Sequence, residues 1–211
     1  MTRNQMLALT AAFLGAFRIQ AAAQGANMTV RPESKLALAG SSNVHDWECR
    51  TSSLNATIVL DSSFDTKSLT SIAKPIAKVV VTVPVKSLKC GHGKMDDNMY
   101  KALKADQFTE IKYVLGTYEV DQAKTTADSF AALTKGELTV AGQTKTVEIP
   151  ITALRSEGGS MKGEGKIALK MTDFGIKPPT AMLGALKTRD DIRISFTVLL
   201  DKSTVVALSQ R

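Results

Sequence analysis

The residues best suited to chemistry fall in two short stretches, His45-x3-Cys49 and Cys90-x-His92. As four ligands they would make a Cys2His2 metal site, but their spacing matches no common zinc module. Cys90 with His92 pairs a thiol with a base, yet the flanking glycines need not turn the two toward each other. No oxyanion-hole feature accompanies them. Oxidation to a Cys49–Cys90 disulfide competes with both uses of sulfur. Two buried free thiols are the remaining alternative.

His45-Asp46 beside Trp47 has the letters of a proton relay. It reads more simply as a hydrogen-bonded strand end around one anchoring indole. Asp173-Phe174-Gly175 matches a kinase magnesium motif by letters only, without a glycine-rich loop or catalytic loop. Gly158, Gly159, Gly163 and Gly165 follow no strand-to-helix pattern and read as turn residues, not as a phosphate cradle. No catalytic residue, metal ligand or cofactor follows from these motifs.

The elements that must position these groups begin with the N-terminus. Arg3, the apolar run Met6 to Phe17 and Ala21-Ala22-Ala23 give the three-part layout of a secretory signal peptide. The run is shorter than the ~20 residues of a membrane span. Cleavage after Ala23 is expected, with Ala26 as a second choice; an ordinary buried N-terminal helix is the alternative. Residues 1–23 are thus read as a signal peptide and 24–211 as one domain, periplasmic or secreted. Export favours the disulfide, because oxidising compartments hold paired cysteines.

The formal charge is +7 over 211 residues, and Arg3 and Arg18 belong to the signal. The remaining Lys and Arg are scattered on alternating stretches and read as a solvated face. Aromatics make up only 5%, so the stacking platforms of nucleic-acid binders are missing. Weak attraction to an anionic membrane surface is the one polyanion contact the charge allows. No protein partner is legible.

Beyond residue 35 the period is two. Leu36 and Leu38 open one strand, which Gly40-Ser41-Ser42 is expected to break. Leu54, Ala56, Ile58 and Leu60 share a face, as do Ala77, Val79, Val81, Val83 and Val85, with Pro84 marking a strand end. Ile111, Tyr113 and Leu115 follow. The runs around Ala141-Gly142 read as a hairpin. Met161, Ile167, Leu169 and Met171 precede the cleanest alternation, Ile192 to Leu200. One interruption has helical spacing: Met95, Met99 and Leu103 share a face with Ala102, and Asp96 turns away. About eight antiparallel strands with one short amphipathic helix make an all-β, closed or nearly closed barrel. Ala37, Ala39, Ala56 and Ala77 are expected on the inner face, leaving room, with Met95, Met99 and Met182 as soft lining.

Three stretches in this order resemble the YceI-like family of polyisoprenoid-binding proteins: SSNVHDWEC (41–49), VTVPVKSLKCGHGKMDDNMYKALKADQFTEIKYVL (81–115), and GELTVAGQTKTVEIPI (136–151) followed by LKMTDFGIKPPTAMLGALKTRDDIRISFTV (169–198). The resemblance covers nearly all of the chain after the signal. It implies a lipocalin-like barrel with an elongated cavity for a polyisoprenoid or isoprenoid quinone, a bound ligand and not a cofactor. It places Met95, Met99, Leu103 and Phe108 at the mouth or lid, and Phe174 and Ile176 near the cavity. The apolar lining is completed by Trp47, Ala56, Val81, Ile111, Tyr113 and Met182. HDWEC departs from the usual family strand, and the G-x-W of true lipocalins is absent.

Two other functions stay open on sequence alone. A barrel filled by its own side chains would be a protein-interaction module with no ligand. An enzyme would use the cysteine–histidine region.

Overall fold

The computed structural model describes residues 26–65, 67–70 and 73–202. The candidate signal peptide lies outside them. Eleven strands are present among the described residues: β1 (Ala26–Val30), β2 (Lys35–Ser42), β3 (Asp46–Thr51), β4 (Asn55–Leu60), β5 (Ile76–Pro84), β6 (Glu110–Val120), β7 (Ser129–Val140), β8 (Gln143–Arg155), β9 (Met161–Lys170), β10 (Thr180–Ala181) and β11 (Leu186–Lys202). The helix α1 (Gly93–Ala102) connects β5 to β6.

The hydrogen-bonded order β1-β4-β5-β6-β7-β8-β9-β11 closes on itself because β11 also pairs with β1, giving an eight-stranded antiparallel barrel. β2 and β3 extend it. The 17-residue β11 pairs with β2 over Thr188–Thr197 and with β1 over Leu200–Lys202 on the same edge. β1 and β2 therefore act as two halves of one bent wall strand, and β3 and β4, which pair with them, as two halves of the next. Ser34 joins the first pair. Its hydroxyl accepts the Leu199 N–H at 3.0 Å, standing in for a ladder bond where the chain bends, and Ser34 is fully buried.

Several strand signals behave as expected from residue type. β5 ends at Pro84, which has no N–H to offer. Ala141 and Gly142 both hold positive φ, 49° and 79°, the left-handed pair that joins twisted strands in a two-residue hairpin. Others differ. β2 does not break at Gly40 but continues to Ser42, because the Trp47 indole opposite covers the glycine. Gly163 and Gly165 lie inside β9 and are not turn residues; only Gly158 and Gly159 turn the chain. β1 carries no alternation long enough to be read from sequence.

The two ends of the barrel are unlike. At the lower end, Met28, Leu60, Phe64, Leu69, Tyr118 and Phe130 pack into a plug, with Tyr118 and Phe130 edge to face. The Tyr118 hydroxyl accepts the Ile76 N–H at 2.8 Å, and burial raises its pKa. At the upper end sit α1, the Ala141–Gly142 turn, the β2–β3 turn and the segment between β9 and β11.

Candidate ligand-binding site

Side chains that point inward along a strand recur every second residue, and the parity of each strand decides what lines the barrel. On β2 the inward residues are Leu36, Leu38 and Gly40; on β3 they are Trp47 and Cys49; on β11 they run from Ile192 to Leu200. The register corrects the expected small lining at three of four positions. Ala37 and Ala39 alternate with Leu36 and Leu38 and point outward, and Ala77 is exposed. Of the four alanines, Ala56 lines the interior.

Space inside comes from glycine instead. Gly40, Gly136 and Gly165 each face an aromatic ring on the neighbouring strand. A Cβ on Gly40 would lie 2.4 Å from the Trp47 ring, one on Gly136 2.7 Å from the Tyr113 ring, and one on Gly165 2.5 Å from the Phe196 ring. The rings therefore lie flat over the glycines, against the wall, and do not plug the lumen.

The result is two apolar chambers. The upper has a volume of about 510 Å³ and the lower about 240 Å³. They meet at a waist made by Leu36, Val83, Ile111 and Ile194, which line both. Together they fall in the size range of small-molecule sites. The barrel is thus not filled by its own side chains.

The sequence-expected lining distributes as follows. Trp47, Met95, Met99, Leu103, Phe174 and Ile176 line the upper chamber. Ala56, Val81 and Tyr113 line the lower, and Ile111 belongs to the waist. Phe108 is elsewhere: its ring packs on Gly142 and lines neither chamber. The Met182 side chain lies outside the described residues. Leu38, Leu169, Ile192 and Phe196 also line the cavity. Strand parity alone could have found them.

Helix α1 covers part of the upper chamber, and its two working faces are set by i, i+4 spacing. Met95 and Met99 look into the chamber. Asp96 and Tyr100 dock the helix on residues 86–90. Asp96 does not turn to solvent as expected; it is buried, and its carboxylate accepts the Cys90 N–H at 2.7 Å. The Tyr100 hydroxyl donates to the Leu88 carbonyl at 2.7 Å and accepts from Lys89 Nζ at 2.8 Å. That bond to Tyr100 is the main reason the Lys89 pKa is raised.

The same segment closes the wall beside β3. Arg50 and Lys89 exchange both backbone hydrogen bonds, Thr51 and Ser87 hydroxyls meet at 2.8 Å, and Cys49 and Cys90 form a disulfide with Cα atoms 3.9 Å apart. The bridge spans 41 residues and in the chain-entropy model is worth about 4 kcal/mol. With both sulfurs bonded to each other, neither is a thiolate, so the cysteine nucleophile and the Cys2His2 site lose their ligands. Among the described residues, no cluster of three His, Cys, Asp or Glu is placed to hold a metal.

Polar groups inside are few. The Tyr113 hydroxyl donates to Thr134 Oγ1 at 3.2 Å, which donates to the Ile149 carbonyl at 2.9 Å. Burial raises the Tyr113 pKa, keeping the phenol neutral. Trp47 Nε1 is buried with no partner among the described residues. At the open end the rim turns polar, with His45, His92, Lys94, Asn98 and Thr180 around the entrance.

A closed antiparallel barrel, plugged at one end and open onto an apolar lumen at the other, defines the lipocalin-like class of binding folds. The YceI-like domain family matches residues 20–200, and the chain belongs to that family. Comparison with curated proteins by sequence returned no match. Three solved structures share the fold. BcnA of Burkholderia cenocepacia has a TM-score of 0.64 at 17% identity, covering 81% of this chain and 99% of that one. A polyisoprenoid-binding domain from Saccharophagus degradans, implicated in plant cell wall breakdown, has a TM-score of 0.62 at 11% identity, covering 85% and 99%. The Campylobacter jejuni YceI protein has a TM-score of 0.52 at 20% identity, covering 71% and 82%.

Proposed function

We propose that this protein is an exported carrier that holds one long apolar lipid, a polyisoprenoid or isoprenoid quinone, and catalyses no reaction. The observation that carries the reading is the pair of apolar chambers stacked along the barrel, which share the wall residues Leu36, Val83, Ile111 and Ile194. A chain threaded from the upper chamber through the waist into the lower one would exchange water for apolar wall along its length, at about 0.8 kcal/mol per CH₂. The methionines of α1 suit a ligand with no fixed shape, since the thioether side chain adapts its rotamer. The binding described for the Saccharophagus degradans domain agrees with this choice of ligand.

The head group would sit at the rim, where the polar side chains are. Among the described residues the lumen is lined almost wholly by apolar side chains, and the work proposed for it is binding and release. Export follows from Arg3, the apolar run and Ala21 to Ala23, and agrees with the disulfide.

Mass spectrometry of organic extracts from natively purified protein tests the ligand. A polyprenyl or isoprenoid-quinone mass, near one per chain, is expected. Extracts that are clean from protein purified without detergent would contradict the proposal.

A further inference from the structure

We infer that the open end of the barrel is a docking face for an anionic phospholipid bilayer, with Val44 and Leu183 inserting at the headgroup–acyl boundary. The inference rests on the lipid-carrier reading for its purpose, though not for its observations. Val44 is 68% exposed and Leu183 fully exposed, the two most exposed large apolar side chains among the described residues. One exposed leucine is ordinary. These two stand on the two loops that edge the upper chamber, beside His45 and between Thr180 and Leu186, which line it.

The loops are tied to each other and so present both side chains together. Asn43 Nδ2 donates to the Ala185 carbonyl at 2.9 Å, its Oδ1 accepts the Lys187 N–H at 2.8 Å, and its own N–H donates to the Lys187 carbonyl at 3.1 Å. Leu183 holds φ +55°, a left-handed conformation that glycine or asparagine adopts more easily. The left-handed backbone carries its cost in any surroundings, but the exposure of the apolar side chain is offset when the tip meets an apolar phase.

Charge around the mouth is balanced, and the attraction to an anionic surface comes from the chain as a whole. Lys94 edges the entrance, Lys177 and Lys187 are exposed on the loop and its following strand, and none of the three forms an ion pair among the described residues. Arg189 is a further exposed base, and Asp46, Asp97, Asp173 and Asp191 are exposed acids of the same region. The chain carries +7, of which Arg3 and Arg18 leave with the signal, and the remaining positive charge draws it toward anionic lipid at long range. Apolar tips on a protein of net positive charge are the pattern of interfacial binding. Seated this way, the mouth opens into the bilayer, and an apolar chain can enter or leave without crossing water.

Cosedimentation of the purified protein with vesicles of phosphatidylethanolamine and phosphatidylglycerol (3:1) tests the face, with pure phosphatidylcholine vesicles as comparison. Binding to the anionic vesicles is expected, reduced on phosphatidylcholine and by added salt. Combined Val44→Ser and Leu183→Ser should lower it about tenfold, whereas Leu133→Ser with Leu154→Ser, exposed on β7 and β8, should leave it unchanged. Leu183→Gly, which relieves the backbone, should also weaken binding while keeping or raising the melting temperature. Protein that stays in the supernatant with anionic vesicles would overturn the inference. So would a Val44/Leu183 double variant that sediments like wild type, or one that instead dissolves a dimer seen by light scattering. Lipid extracted from the same preparations separates the two readings. Protein that carries a lipid but ignores vesicles refutes docking alone. Protein that docks but carries none refutes the carrier function alone.

Discussion

At the scale of the residue, Met99 is where packing and ligand binding can be told apart. It lines the upper chamber and its sulfur lies 3.9 Å from Cys90 Sγ. A carboxylate there would face apolar wall on one side and bound hydrocarbon on the other, and burying an unpaired charge is costly. Met99→Asp is expected to lose its lipid while the barrel, fixed by its ladders, stays folded. Met99→Ala deletes contact area without charge and should retain most of the lipid, with a stability loss below the ~2 kcal/mol of a fully buried site, because Met99 is only partly buried. Extraction and thermal melts of both variants check this; a folded Met99→Asp protein that keeps its lipid would remove α1 from the site. The glycine–aromatic pairs show why sequence reading named the wrong small residues. Alanine on an alternating strand looks like room on the inner face, but its parity is fixed by which neighbours pair. Ala37 and Ala39 fell on the outer parity. The glycines that open the lumen, Gly136 and Gly165, read as strand or turn punctuation until Tyr113 and Phe196 are placed opposite them. That pairing is a long-range fact with no local sequence signal.

At the scale of the element, the short 3-10 turn Met171–Phe174 presents two lining residues to the upper chamber and rests on one carboxylate. Asp190 on β11 accepts the Thr172 N–H at 2.9 Å and the Thr172 hydroxyl at 2.6 Å. The hydroxyl bond is the main cause that holds the Asp190 pKa below its ordinary 3.8. A carboxyl whose pKa is lower folded than unfolded stabilises the fold above the unfolded value, and that contribution is lost as pH falls through the folded one. Asp190→Asn should therefore cost about 1 kcal/mol at pH 7, at the low end because the site is solvent-screened. The gap between variant and wild type should close as both are taken below pH 3.8. Urea midpoints at pH 7 and in that acid range measure it, and an equal gap at both would contradict the role. The helix was legible as an element because spacing by four is local. Its anchoring was not, since Asp96 reads as a solvent-facing acid until the Cys90 N–H is placed beside it. The cysteines were readable as a pair, but not as the seam between β3 and the chain after β5, because that seam is one isolated bridge and no strand.

At the scale of the molecule, alternation and hairpin spacing sufficed for a closed β-barrel of eight strands, and the resemblance sufficed for its family. Alternation left open whether the barrel is hollow, because it is the same for a packed and an open interior, whereas the resemblance implied an elongated cavity. The hollow form depends on rings laid over glycines and on a plug confined to one end. Among the described residues no helix is long and apolar enough to cross a membrane. A polyprenyl chain is proposed to occupy the lumen, and Trp47, the single tryptophan of the chain, stands in the wall of the upper chamber. Titration of lipid-free protein with a long-tailed isoprenoid quinone, followed by Trp47 fluorescence, tests it directly. Saturable quenching at one quinone per chain is predicted, with a tail-less quinone of the same head group quenching only in proportion to its concentration. Equal, unsaturable quenching by both quinones would contradict a polyprenyl chain held inside the barrel.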